Sequence, residues 1–189
     1  MLVDSLSVLD PTLLLQKEDY IKIFEIAKVP KSKGNLLVYL LDPNKKQKQL
    51  IQCIETDTQL IPFYVNKRSV SPSTPIKERI LPSVESWLRG FYDAEFVITD
   101  SFHACVFSII FEKPFVVFGN KSRGMSRFDS LLNKFGLSSC LIGDDISVES
   151  IIEVISKRGK ALVSSNTIRE KLKTQKEYSI NYLSNSLYI

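Results

Sequence analysis

Phe96-Val97-Ile98-Thr99-Asp100-Ser101-Phe102-His103-Ala104 decides how this chain is read. Four apolar or β-branched residues precede Asp100, and an amphipathic run from Phe102 to Phe111 follows before Pro114 forbids further helix. The pattern predicts a buried strand ending at Asp100 that delivers the chain's only histidine to the first turn of a helix, with Ser101 as N-cap. Unpaired backbone N–H groups and the positive end of the helix dipole favour anions there and oppose a protonated imidazole. A neutral imidazole beside an anion site suits acid–base chemistry near neutral pH. The competing reading is a capping or packing role, which a lone histidine in such a turn often has.

Downstream, Pro114-Phe115-Val116-Val117-Phe118-Gly119-Asn120 reads as the next strand, and Lys121 to Phe128 as a glycine-bearing loop entering another helix. Two neighbouring parallel strands would bring His103, Arg123 and Arg127 to the carboxyl edge of one sheet, where open α/β sheets bind ligands.

The rest of the chain alternates strand and helix. Pro11 to Ala27 is predicted as one amphipathic helix with Leu13, Leu14, Tyr20, Ile23, Phe24 and Ala27 near one stripe. Asn35 to Leu41 is an almost unbroken apolar strand, Asp42-Pro43-Asn44 caps a helix over Lys45 to Glu55, and Leu60 to Val65 is a second strand with an irregular start at Pro62. Helices over Ser83 to Tyr92, Ser126 to Phe135 and Val148 to Lys157, and a strand at Cys140 to Ile142, complete a core of about five parallel strands. Asn66 to Pro82 is a long proline- and serine-rich loop that would place Lys67 and Arg68 near the ligand edge, although a solvated loop is the commoner meaning of such a stretch. A helix from Ser164 to Leu187 would turn Ile168, Leu172, Gln175, Tyr178, Tyr182 and Leu183 inward.

With 189 residues, 44% of them hydrophobic, the chain can bury one substantial core. Cys53, Cys105 and Cys140 are odd in number and widely spaced, and with a single histidine they offer no zinc spacing; reduced, mostly buried thiols point to the cytoplasm. No basic residue precedes Lys17, so the start is a poor signal peptide, and no apolar run reaches the roughly 18 residues a membrane span needs. A net charge of +4 with no aromatic–basic module argues against nucleic acid. Lys157, Arg158, Lys160, Arg169, Lys171, Lys173 and Lys176 make the C-terminal third basic; a solvated helix face is the plain reading, and contact with anionic lipid or lipid-linked sugar diphosphates at the inner face of the membrane is the alternative.

Taken together, Thr99-Asp100-Ser101-Phe102-His103-Ala104, Phe107 to Phe111, Lys113-Pro114-Phe115, Arg123-Gly124-Met125-Ser126-Arg127-Phe128 and, upstream, Val8-Leu9-Asp10-Pro11-Thr12-Leu13-Leu14-Leu15 resemble the polysaccharide pyruvyl transferase family. The resemblance implies the C-terminal Rossmann-like domain of a two-domain fold like that of GT-B glycosyltransferases, with residues 1–33 as interdomain segment and helix, 34–163 as the domain and 164–189 as a C-terminal helix. An N-terminal domain or partner chain would supply the facing wall. Either this sequence is a piece of a longer protein, or its gene is shortened, or the other half comes from another polypeptide, and the single wall alone is expected to bind donor weakly and turn it over slowly or not at all.

The resemblance further implies transfer of a pyruvyl unit from phosphoenolpyruvate to a sugar of a bacterial capsule or exopolysaccharide, or to its precursor, without metal or organic cofactor. His103 becomes the catalytic candidate, and Ser101, Asn120, Arg123, Ser126 and Arg127 the substrate-binding candidates. The family's Arg-Leu-His pattern is replaced here by Ser101-Phe102-His103, so an anion contact attributed to that arginine does not carry over. This departure keeps two alternatives in view: a GT-B glycosyltransferase domain using a nucleotide sugar, and a catalytically silent binding domain.

Overall fold

The computed structural model describes residues 7–41, 43–66, 73, 75–119, 124–143, 147–153, 155 and 166–187. Five strands, Leu36–Tyr39 (β1), Pro62–Tyr64 (β2), Phe96–Thr99 (β3), Phe115–Phe118 (β4) and Leu141–Ile142 (β5), form one sheet in the order β2-β1-β3-β4-β5. Every neighbouring pair is parallel, with Leu37 opposite Val97 and Ile98 opposite Val116. The helices are Lys17–Ile26 (α1), Lys45–Thr58 (α2), Ile76–Arg79 (α3), Val84–Asp93 (α4), Phe102–Ile110 (α5), Ser126–Phe135 (α6), Val148–Glu153 (α7) and Asn166–Leu187 (α8). This is a Rossmann-like α/β fold.

All four residues of β3 and of β4 are buried, as expected where helices cover both faces. On one face Leu36, Val38, Ile98 and Val116 pack with Leu50, Ile51 and Ile54 of α2 and Ile151 of α7. The opposite face carries the larger core, where Leu37, Val97 and Val117 meet Phe24 of α1, Phe91 of α4, Phe107 of α5, Phe128 of α6 and Ile168 of α8. A uniform right-handed crossover explains the split: strand addition runs one way from β1 to β2 and the other way from β3 onward, so the connecting helices change face. The reversal opens a topological switch point between the carboxyl ends of β1 and β3. There, Thr99 Oγ1 donates to Tyr39 O (2.7 Å) and accepts from Ser101 N (3.0 Å), and Asp100 Oδ1 accepts from Leu41 N (2.8 Å).

Several sequence expectations are corrected. Pro11 to Ala27 is not one helix: Pro11–Leu14 is a 3-10 turn capped by Asp10, and α1 starts afresh after Gln16, whose N–H donates to Asp19 Oδ2 (3.1 Å). Ile23 and Ala27 consequently face solvent. In α8 Ile168, Leu172 and Ser179 turn inward; Tyr178 is exposed because its neighbour Ser179 takes the inward position, and Tyr182 and Leu183 are exposed where the end of the helix runs past the core. Ser101 holds the N-cap position of α5, but its side chain caps nothing. Cys53 is exposed, whereas Cys105 and Cys140 are buried. Burial pushes the Cys140 thiol up to about 12 and the Cys105 thiol well above its ordinary range, which leaves both inert as nucleophiles. Lys67, Arg68, Lys157, Arg158 and Lys160 lie outside the described residues.

Part of the basic character of α8 serves the fold. Lys176 Nζ donates to Leu15 O (2.6 Å), and Arg169 forms a fork on Glu112, at 2.6 Å from Nε to Oε1 and 2.7 Å from Nη2 to Oε2. The Arg169 guanidinium holds the Glu112 carboxyl below its usual range. The stability this fork contributes is therefore present above the ordinary glutamate value and disappears as pH falls through the depressed one. Urea unfolding of Glu112→Gln should show a lower midpoint than the parent at pH 7 and converge with it in strong acid; an equal gap at both pH values would contradict that.

Candidate functional site

The site assembles around the start of α5. Leu9 N donates to Ser179 Oγ (3.0 Å), which in turn donates to Gln175 O (2.8 Å), so the strand-like segment before the 3-10 turn is tied to α8. Asp10 sits next in the chain. Its Oδ1 accepts from Thr12 N (3.0 Å) and Thr12 Oγ1 (2.6 Å), the arrangement expected of an aspartate N-cap before proline. Tyr20 Oη then donates to Thr12 O (2.7 Å), and the Tyr20 ring stands edge-on to Phe107 of α5 at 4.9 Å. Two hydrogen bonds from Thr12 thus commit one oxygen of the Asp10 carboxylate, and the bonds at Leu9 and Tyr20 hold the segment around it.

The other oxygen, Oδ2, faces His103 Nε2 at 3.7 Å, within ion-pair range and longer than a direct hydrogen bond. The imidazole stays accessible, with its side chain 56% exposed against 22% for Asp10. Next to it, Phe102 meets the imidazole edge-on at 5.6 Å, and the Arg127 guanidinium lies over the Phe102 ring at 5.3 Å. Arg127, Ser130, Leu131 and Lys134 recur at helical spacing on α6, so two cations face the segment holding Asp10. Together with Ser126 and the Ser7–Asp10 segment they line a hollow of about 190 Å³.

A larger hollow of about 620 Å³ runs along α2, lined by Asn44, Gln47, Gln49, Gln52, Cys53 and Phe118 among others. It lies on the side of the sheet covered by α2, away from α5, and its described lining holds neither the histidine nor an arginine. Size favours that hollow, but chemistry favours the smaller one, which combines two cations with the fixed carboxylate that faces His103.

Of the residues singled out from sequence, His103, Ser126 and Arg127 fall at this site, and Ser101 stands at the turn leading into it. Asn120 and Arg123 lie outside the described residues. Two participants were missed. Lys134 was legible from its position two turns after Arg127, and Asp10 from its capping signature, although nothing local reveals that its second oxygen faces His103. Among the described residues no cluster of His, Cys, Asp and Glu could hold a metal, and no helix is long and apolar enough to cross a membrane.

Comparison with known proteins adds one finding and one absence. No curated protein matches the chain. The family model for polysaccharide pyruvyl transferase matches residues 2–122, a span running from the segment that holds Asp10, through β1 to β3, past His103 to the end of β4. It covers well over half of the sequence and both partners of the Asp10–His103 pair. On that match, the chain belongs to the polysaccharide pyruvyl transferase family.

Proposed function

We infer that this chain takes part in transfer of a pyruvyl unit from phosphoenolpyruvate to hydroxyls of a sugar, on a surface polysaccharide or its precursor, to give a ketal. The observation that carries this reading is the placement of the Asp10–His103 pair beside Arg127 and Lys134 across Phe102. The donor bears a carboxylate and a phosphate, which cations bind through charge-assisted hydrogen bonds. Ketal formation makes two C–O bonds at C2, breaks the bond from C2 to the phosphate oxygen and adds one proton to C3. Of the two hydroxyl protons released, one ends on C3 and the other leaves with phosphate. A base that accepts a hydroxyl proton and an acid that delivers one to C3 are both needed, and one neutral imidazole can serve in turn. No step requires a metal or organic cofactor, and we place the reaction in the cytoplasm.

The hollow beside α6 is smaller than the roughly 300–1,000 Å³ usual for small-ligand pockets. We therefore assign the acceptor and the exclusion of water to a second wall facing this one, as a GT-B arrangement would supply, with the chain alone a weak catalyst. The assay combines phosphoenolpyruvate with a galactose- or mannose-type acceptor and follows phosphate release together with the quaternary ketal carbon by ¹³C NMR. It is run on this chain alone and with a domain providing the opposite wall. Arg127→Ala should raise KM for phosphoenolpyruvate roughly ten- to a hundredfold with a smaller change in kcat, the cost of one charged hydrogen-bond partner. An unchanged KM would take Arg127 out of donor binding. Transfer from a nucleotide sugar, with none from phosphoenolpyruvate, would overturn the reading.

A further inference from the structure

We propose that Asp10 is a positioning residue that sets the tautomer of His103, keeping the ring hydrogen on Nε2 and leaving Nδ1 as the nitrogen that takes up and returns the proton. The proposal rests on the functional reading above for the reaction, but its first half stands on geometry alone.

A neutral imidazole carries one N–H donor and one bare acceptor nitrogen, and the surroundings select which is which. The carboxylate is acceptor-only. With Oδ1 engaged by the Thr12 N–H and hydroxyl, Oδ2 is the oxygen presented to Nε2 at 3.7 Å, and only a hydrogen on Nε2 makes that approach attractive. Among the described residues the ring's other contact is the Phe102 edge, which offers no hydrogen-bonding group, and no side chain there hydrogen-bonds Nδ1. The backbone geometry is fixed from outside the site, since Leu9 is held by Ser179 of α8 and Thr12 by Tyr20 of α1. When Nδ1 takes a proton from an acceptor hydroxyl, the resulting imidazolium faces a carboxylate already in place, so its charge is stabilised without rearrangement. Loss of that proton from Nδ1 to the substrate restores the starting tautomer, and the hydrogen on Nε2 never moves.

Because His103 is the only histidine, protein labelled with ¹⁵N-histidine gives a single pair of ring-nitrogen signals, and a long-range ¹H–¹⁵N spectrum near pH 8 reads the tautomer directly. The full chain shows the Nε2–H pattern. Asp10→Asn keeps an oxygen for Thr12 but turns an amide N–H toward the imidazole; it shifts the ring toward the Nδ1–H pattern, as a wrong-tautomer variant of a His–Asp pair does elsewhere. Asp10→Ser keeps an N-cap and reaches the ring with nothing, so its Nε2–H population falls between the two. Circular dichroism confirms that each variant is folded. In the transfer assay Asp10→Asn lowers kcat at least tenfold while KM for phosphoenolpyruvate stays within about twofold. Ring shifts in Asp10→Asn identical to those of the parent overturn the proposal. A tautomer change without any pyruvyl transfer by the parent, assayed with a domain providing the opposite wall, leaves the pairing standing and instead removes the assigned reaction.

Discussion

His103→Ala should cut pyruvyl transfer by about 10²- to 10⁴-fold, the range spanned by removal of a general acid–base group, while leaving the fold and the thermal midpoint nearly unchanged. The second half of that expectation follows from exposure: more than half of the imidazole surface is open, and it meets the Asp10 carboxylate at 3.7 Å and the edge of Phe102. A surface substitution away from caps and buried networks usually moves stability by no more than about 0.5 kcal/mol. The loss should appear mainly in kcat, because the proposed reading assigns the phosphoenolpyruvate anion to Arg127 and Lys134 rather than to the imidazole. Phosphate release and ketal formation at full rate in His103→Ala would remove the residue from the mechanism.

The largest effect on stability should come from Phe91→Ala. Phe91 is fully buried on α4, 4.5 Å from Trp87 and 6.1 Å from Phe107, in the aromatic cluster that joins α4 to α5 over the sheet. Truncation removes the ring's transfer free energy and leaves a cavity that surrounding aromatics cannot close, a loss of about 3–5 kcal/mol. For a domain with a stability of about 5–15 kcal/mol this is a large fraction of the total. A fall of the urea midpoint with the slope preserved is the expected result, and a loss below about 1 kcal/mol would show that the cluster repacks.

What the sequence revealed and what it hid divide along physical lines. The β3–α5 junction and α6 were legible because each signal is local: a β-branched run ending at Asp100, and a 3.6-residue period ending at Gly136, which takes φ +74° as helix C-terminal glycines do. Asn44 was equally readable as a cap, with Gln47 completing a reciprocal pair, whereas Ser83, read as the first residue of its helix, is instead its N-cap and accepts from Ser86 N. The break at Gln16 was not, because glutamine is a weak N-cap by type and Asp19 does the work from three residues ahead. The inward turn of α8 at Ser179 was hidden for a different reason. A small hydroxyl there accepts from Leu9 N, a partner far away in sequence, while the apolar Tyr182 and Leu183, which periodicity favours, lie beyond the edge of the core. Asp10 combines both cases: its capping role is written beside Pro11, and its approach to His103 exists only once α8 and α1 have pinned the segment against α5. The strand order, and with it the switch point beside Thr99 and Asp100, likewise needed the third dimension.

Binding of phosphoenolpyruvate beside His103, which the proposed function requires, is directly observable through the chain's single imidazole. Phosphoenolpyruvate titrated into the ¹³C-histidine-labelled chain should shift the His103 ring resonances saturably, with the same titration into Arg127→Ala needing roughly tenfold more ligand or above. Ring resonances that ignore phosphoenolpyruvate but move with a nucleotide sugar would contradict the proposed function and show that His103 borders a different donor site.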